Sequence, residues 1–285
     1  MTENSSTAAT LTGKTVLISG GSRGIGHSIA VRLGEAGANV VLIAKTDQPH
    51  PSLPGTVHTA VEDIEAAGGA GLAVVGDIRN DDDVAAAVEA AVERFGGIDV
   101  VVNNASAIDL SPAEQQDMKR YDLMQDINAR GSFALSAAAI PHLRASAQQQ
   151  GWTPKVVTLS PPVNLDPKWF AKHLGYTMSK YAMSMTTIGL AAEMADAGVE
   201  VNSLWPVTLI ETAALRNIPG GEKLARGARK PQIVADAAYA LISGTARLGS
   251  GGFLTDEQVL TEAGVTDFSD YAVEPGAELI PDIFL

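Results

Sequence analysis

The chain has 285 residues, 33 acidic against 20 basic side chains, a net charge of −13 and no cysteine. That length, with 46% apolar residues, supports one large α/β domain or two small ones; the missing cysteines exclude disulfides, thiolate catalysis and thiolate-bound metal. The acidic balance, with no basic run, argues against nucleic acid or an anionic membrane surface as a partner, and no stretch reaches the roughly 18 apolar residues of a membrane span.

Residues 1–10 are small, polar and uncharged apart from Glu3, and read as a frayed tail rather than a signal peptide or basic targeting helix. A cytoplasmic protein is therefore expected. Val16-Leu17-Ile18-Ser19 then reads as a buried strand running into Gly20-Gly21-Ser22-Arg23-Gly24-Ile25-Gly26. A helix follows at once, with Ile25, Ile29, Leu33 and Ala36 at three- and four-residue spacing. Strand, glycine turn and helix together hold a nucleotide phosphate. The free N–H groups of the turn and helix start point at an anion, and the helix dipole favours negative charge there. A Cβ in the turn would hold the pyrophosphate off.

Ala38 to Ala44 reads as a second buried strand, with Lys45 just past its end, where a dinucleotide fold faces the adenosine ribose. No acid stands at 44 or 45 to accept from a ribose 2′-OH. Lys45 with Arg23 suits a 2′-phosphate instead, which favours NADP(H) over NAD(H). Gln48 to Gly55 is a proline-rich rigid loop. A helix over Thr56–Ala67 and a third strand over Leu72–Gly76 follow, the strand ending at Asp77. Asp81 is the expected N-cap of a helix with Val84, Val88, Ala91, Val92 and Phe95 on one face. Asp99 to Val102 is a fourth strand, running into Asn103-Asn104-Ala105. Short apolar strands that do not alternate, separated by helices, predict a doubly wound parallel sheet with ligands at the C-terminal strand ends.

A long helix is expected from about Arg120 to Ala147, kinked or restarted at Pro141, with Asn128 in its middle. Lys155 to Ser160 is a fifth strand, and Pro161 to Leu174 an insertion-like loop carrying Trp169 and Phe170. Tyr176-Thr177-Met178-Ser179-Lys180 opens the next helix, and four-residue spacing puts Tyr176 and Lys180 on one face. An ammonium beside a phenol lowers the phenol's pKa and makes a tunable acid/base. Glu200 to Leu204 is a sixth strand. Ile210–Lys230, rich in glycine and charge, reads as a mobile cover over the substrate. A helix from Pro231 to Ser243 and a short strand over Gly252–Thr255 close the sheet. Residues 257–285 form an acidic extension, expected to pack on the domain or on a neighbouring subunit.

Gly20-x-x-x-Gly24-x-Gly26, Asp77, Asn103-Asn104-Ala105, Asn128 and Tyr176-x-x-x-Lys180 occur in this order, each on its expected element. Over residues 11–256 the chain resembles the short-chain dehydrogenase/reductase family. Within it, Ala44-Lys45-Thr46, Ser160-Pro161-Pro162, Leu204-Trp205-Pro206 and the Pro281–Leu285 ending are similar to the hydroxysteroid dehydrogenase-like proteins. The resemblance implies a single-domain Rossmann fold with a seven-stranded sheet, and an NADP(H)-linked oxidoreductase interconverting a carbonyl and a secondary alcohol on an apolar small molecule. It implies Tyr176 as the proton donor or acceptor, Lys180 on the cofactor ribose and Asn128 in a proton relay. Gly20, Gly21, Ser22, Arg23, Gly24, Ile25 and Gly26 would cradle the pyrophosphate, and Lys45, Asp77, Asn104 and Ala105 would border adenosine and ribose. It also implies a homodimer or homotetramer, and the five histidines offer no metal-ligand spacing, so no metal is expected.

Two departures stand out. The substrate-orienting serine of the family is either Ser160 or is replaced by Pro161, which has no donor. Pro206-Val207 stands where Pro-Gly is usual, and the threonine that normally touches the nicotinamide is Thr208 or Thr212. A non-catalytic NADP(H)-binding or sensor protein on the same fold is the alternative.

Overall fold

The computed structural model describes residues 10–49, 53–218 and 220–285. Most of the expected frayed tail and the centre of the proline-rich loop lie outside the described residues. Seven strands, β1 (Thr15–Ser19), β2 (Asn39–Ala44), β3 (Ala70–Val75), β4 (Val100–Asn103), β5 (Lys155–Thr158), β6 (Glu200–Trp205) and β7 (Phe253–Thr255), form one all-parallel sheet in the order β3-β2-β1-β4-β5-β6-β7. The order reverses between β1 and β4, and a crevice opens beyond the strand ends at such a switch point.

The apolar strands are continuous because both faces are covered. Val16 and Ile18 of β1, with Val40 and Leu42 of β2, join one core cluster. Leu17, Val41 and Ile43, one residue out of phase, join the other. The first layer is completed by α1 (Gly24–Glu35), α2 (Val57–Ala66) and α9 (Gln232–Ser243). The second is completed by α3 (Asp81–Phe95), α5 (Ser132–Ser146) and α6 (Leu174–Glu193). The N-cap of α3 is Asn80, whose side chain accepts from the Asp82 N–H, rather than Asp81. Asp81, Asp82 and Asp83 instead fill the first turn, where their charge complements the helix dipole.

The long helix is continuous through Pro141 and irregular elsewhere. It comprises α4 (Met118–Met124), a π-helical turn over Gln125–Gly131, and α5. The wide turn is centred on Asn128, whose side chain is bonded to two neighbouring elements. Ile210–Lys230 is not a bare cover: it holds α7 (Ala213–Arg216) and α8 (Gly221–Arg226), tied down by an Ile210–Arg229 bridge. After β7, α10 (Asp256–Glu262) is capped by a Thr255–Gln258 capping box. The remaining chain returns along the strand ends of its own domain. Asp282 N–H donates to Val207 O at 2.9 Å, and Ile280 N–H to Gly227 O at 2.8 Å. Among the described residues no helix is long and apolar enough to cross a membrane.

Candidate active site

The turn after β1 is shaped by contacts that only glycine permits. Gly20 has φ +74°, and a Cβ there would lie 2.8 Å from Ala105 Cα. A Cβ on Gly26 would lie 2.3 Å from Asn104 Nδ2 and 2.6 Å from Gly20 O. Asn104 fills that space by donating to Ser19 O at 3.1 Å and Gly20 O at 2.9 Å. The Ser19 hydroxyl in turn accepts the N–H groups of Asn104 and Ala105. The end of β4 is thereby bolted to the glycine turn, and α1 begins at Gly24 with its free N–H groups beside the crevice.

That crevice is a cleft of about 470 Å³ lined by Gly20, Ser22, Arg23, Gly24, Ile25, Lys45, Asp77, Asn104 and Ala105. All of these are residues expected to hold the cofactor. Gly21 and Gly26 do not line it: Gly21 faces Leu42, and Gly26 faces Asn104. Arg23 donates to Thr46 Oγ1 at 2.8 Å, and Lys45 Nζ lies 3.3 Å from Asp77 Oδ2. Asp77 is held well below the usual carboxylate range, first by the hydrogen-bonded Arg79 guanidinium and then by Lys45. The cleft walls missed by sequence reasoning are Ile43, Ala44, Thr46, Leu53, Gly76, Ile78, Ser106 and Ile127, with Ala213 and Ala214 at the start of α7. Between the two candidate threonines, Thr212 lines the cleft, while Thr208 is buried and pairs with Pro281.

Asn128 is fully engaged. Its Oδ1 accepts from Ala107 N–H at 2.7 Å, and its Nδ2 donates to Ala107 O and to Ser179 Oγ, both at 2.9 Å. Ser179 Oγ donates to Tyr176 O. The amide thus clamps the loop after β4 to the turn of α6 that carries Tyr176 and Lys180.

Tyr176 and Lys180 are 5% and 2% exposed, and neither lines the cleft. Lys180 Nζ donates to Leu159 O, just beyond β5, at 2.6 Å and sits 5.0 Å over the Trp205 ring at the end of β6. Both side chains therefore stand at the C-terminal rim of the sheet. Burial pushes the Lys180 ammonium down to about 7 and the Tyr176 phenol well above its ordinary value; nearby Asp282 raises both. The expected lowering of the phenol by Lys180 is overridden by burial, and the ammonium donates to Leu159 O.

Ser160 is completely buried and shares a 2.8 Å hydrogen bond with Ser203 Oγ, which meets Thr187 Oγ1 at 2.8 Å. Its hydroxyl belongs to a chain linking β6 and α6. The group that stands over Tyr176 comes from the far end of the sequence. Phe284 is 1% exposed and stacks on Tyr176 at 6.2 Å between ring centroids. Sequence reasoning found the aromatic loop, Trp169 and Phe170, but not this partner. The available signals were the apolar Ile283-Phe284-Leu285 closing an acidic tail and the family likeness of the Pro281–Leu285 ending, neither of which names a partner.

The comparisons agree with this geometry. A profile described as short chain dehydrogenase matches residues 14–222. Hydroxysteroid dehydrogenase-like protein 2 of Danio rerio is 49% identical, and that of Homo sapiens 46%, each over 275 residues, 96% of this chain and 64% of the relative. The chain thus spans slightly less than two thirds of the length of these relatives. The crystal structure of a short chain dehydrogenase from Mycobacterium thermoresistibile is 49% identical, with a TM-score of 0.89 over 97% of this chain and 96% of that one. The NADH-dependent reductase A1-R′ complexed with NAD is 28% identical, with a TM-score of 0.69 over 86% of this chain and 95% of that one. A sheet of this order, a glycine turn bolted to Asn104 and an α6 tyrosine–lysine pair, on a chain matched over most of its length, make it a member of the short-chain dehydrogenase family, oxidoreductases that use a nicotinamide cofactor.

Proposed function

We propose that the protein interconverts a carbonyl and a secondary alcohol on an apolar small molecule, using NADP(H). The carrying observation is a cleft that runs from the glycine turn to Ser106 and Ile127, next to the Asn128–Ser179 clamp under Tyr176. The residues fit a dinucleotide: the close-packed turn leaves room for a pyrophosphate at the α1 N-terminus. Arg23, Thr46 and Lys45 surround the place of a ribose 2′ substituent, and the side chains at 44, 45 and 46 carry no negative charge. That set favours the phosphorylated cofactor.

A bound nicotinamide supplies or takes the hydride. Tyr176 moves the proton at the substrate oxygen. Lys180, released from Leu159 O, holds the nicotinamide-side ribose and favours the phenolate. Asn128 positions α6 against the loop after β4, and Thr212 borders the nicotinamide side of the cleft. Ser160, held by Ser203, has a structural role, and the substrate oxygen is oriented by Tyr176 alone. Replacing Tyr176 by Phe lowers turnover by about 10²–10⁴-fold and leaves NADPH affinity intact; unchanged turnover would defeat the mechanism.

One observation favours a second reading, a non-catalytic NADP(H) binder: the phenol lies under Phe284. Following NADPH absorbance across a panel of carbonyl compounds separates the two. The exposed stripe Leu174, Met178, Met185 and Ile188 along α6, with Phe133 on α5, fits a second copy of the chain in a homodimer or homotetramer. A monomer mass in light scattering would refute that assembly.

A further inference from the structure

Phe284 stands in a chamber of five aromatic rings. Centroid separations are 5.8 Å to Trp169, 5.8 Å to His173, 6.2 Å to Tyr176, 5.4 Å to Tyr181 and 6.0 Å to Trp205. These are spacings at which aromatic pairs attract. The chamber floor is Tyr176, the group whose proton must reach a substrate. Phe284 lies across the ring of that phenol and leaves Tyr176 only 5% exposed.

The backbone ties of this segment all lie on the N-terminal side of Phe284. Pro281 and Leu285 are exposed on either side of it. These ties are Ile280 N–H to Gly227 O, Leu209 N–H to Ile280 O, Asp282 N–H to Val207 O and Trp205 Nε1 to Ile283 O at 3.0 Å, with an antiparallel Thr208–Pro281 bridge. The backbone at Phe284 has φ +78°, and among the described residues it is the one non-glycine in the left-handed region. That conformation is strained for a residue with a Cβ. The strain falls at the point of insertion, so withdrawal relieves it.

We propose that this chamber is the substrate's seat, that it takes a ring-bearing ketone of about benzyl width, and that Pro281–Leu285 is a plug the substrate displaces. The proposal rests on the reading of Tyr176 as the acid/base. A planar ring replaces the Phe284 ring against the same five partners, which a linear chain cannot do. Lifting the segment uncovers Tyr176 and the Lys180 side chain together. The apparent affinity of the closed protein is its intrinsic affinity multiplied by the open fraction, so removing the plug strengthens binding.

The test compares the full chain with Phe284→Ala and Phe284→Leu, using acetophenone as the one-ring probe and 2-octanone as the linear one. Phe284→Ala is expected to lower the KM or Kd for acetophenone about ten-fold or more, with a smaller change for 2-octanone and none in NADPH affinity. Wild-type hydrogen exchange across 278–285 rises when acetophenone is added. Equal constants in wild type and Phe284→Ala overturn the proposal. So does a loss of turnover in Phe284→Leu with exchange in the wild type unmoved by ligand, which would make Phe284 a permanent wall. A gain for 2-octanone equal to that for acetophenone overturns the ring preference. If acetophenone binds and raises exchange but no ketone in the panel is reduced, the plug stands and the enzymatic reading fails.

Discussion

Gly26→Ala tests the joint between the glycine turn and the end of β4. In isolation the change favours folding, since Ala is preferred over Gly inside a helix by up to about 1 kcal/mol. The structure reverses the sign. The new methyl would sit 2.3 Å from Asn104 Nδ2 and 2.6 Å from Gly20 O, and the second of these is backbone. Moving Asn104 aside removes two hydrogen bonds, each contributing about 0.5–1.5 kcal/mol, from Ser19 O and Gly20 O. Relieving the clash with Gly20 O adds about 1–3 kcal/mol of overpacking. The net loss is about 1–5 kcal/mol, or roughly 2–20 °C in Tm for a domain of this size. NADPH affinity is expected to fall with it, because the turn proposed to receive the pyrophosphate is the part displaced. Thermal and urea unfolding read the first effect and calorimetry with NADPH the second. Gly97→Ala, where a Cβ meets nothing within 4 Å and φ is ordinary, is the control and stays within about 0.5 kcal/mol of wild type. A Gly26→Ala protein with wild-type Tm and NADPH affinity would refute the role given to Asn104.

Two further outcomes follow from the charges. Arg23→Ala with Lys45→Ala weakens NADPH by roughly ten- to a few-hundred-fold while NADH changes little, since charge-assisted contacts contribute about 1.5–3 kcal/mol and an exposed lysine less. Equal losses for both cofactors in paired titrations would remove the 2′-phosphate assignment. The second outcome concerns Asp282, whose carboxyl is pushed up to about 7, chiefly by burial, while Lys180 is pushed down to about 7 by burial. Between about pH 4 and 7 the folded chain holds more protons at Asp282 than the unfolded chain, so stability falls as pH rises through that window. Between about 7 and 10 the folded chain holds fewer protons at Lys180, and stability recovers. Asp282→Asn abolishes the falling arm. The wild-type minus variant stability, from urea unfolding, should therefore decline between pH 5 and 7.5, and a flat difference would show that Asp282 titrates normally.

Much of this site is local in origin. Strand, glycine turn and helix are neighbours along the chain, and a four-residue spacing alone puts Tyr176 and Lys180 on one side of α6. The apolar strands announced a sheet covered on both faces, and the place of Asn104 after β4 pointed to the cleft at the switch point. Where local cues competed, the nearer one misled. Pro141 suggested a break, yet the wide turn formed at Asn128, whose amide is claimed by Ala107 and Ser179. Asp81 looked like a cap, yet Asn80, one residue earlier, took the role. What only the tertiary structure decided was which distant groups share the rim with Tyr176. Ser160 shares its hydroxyl hydrogen bond with Ser203, brought alongside by β6. Phe284 and Asp282 reached the pair from more than 100 residues away, a neighbourhood that no periodicity encodes, because it is created only when burial of one aromatic ring folds the last segment back over the strand ends.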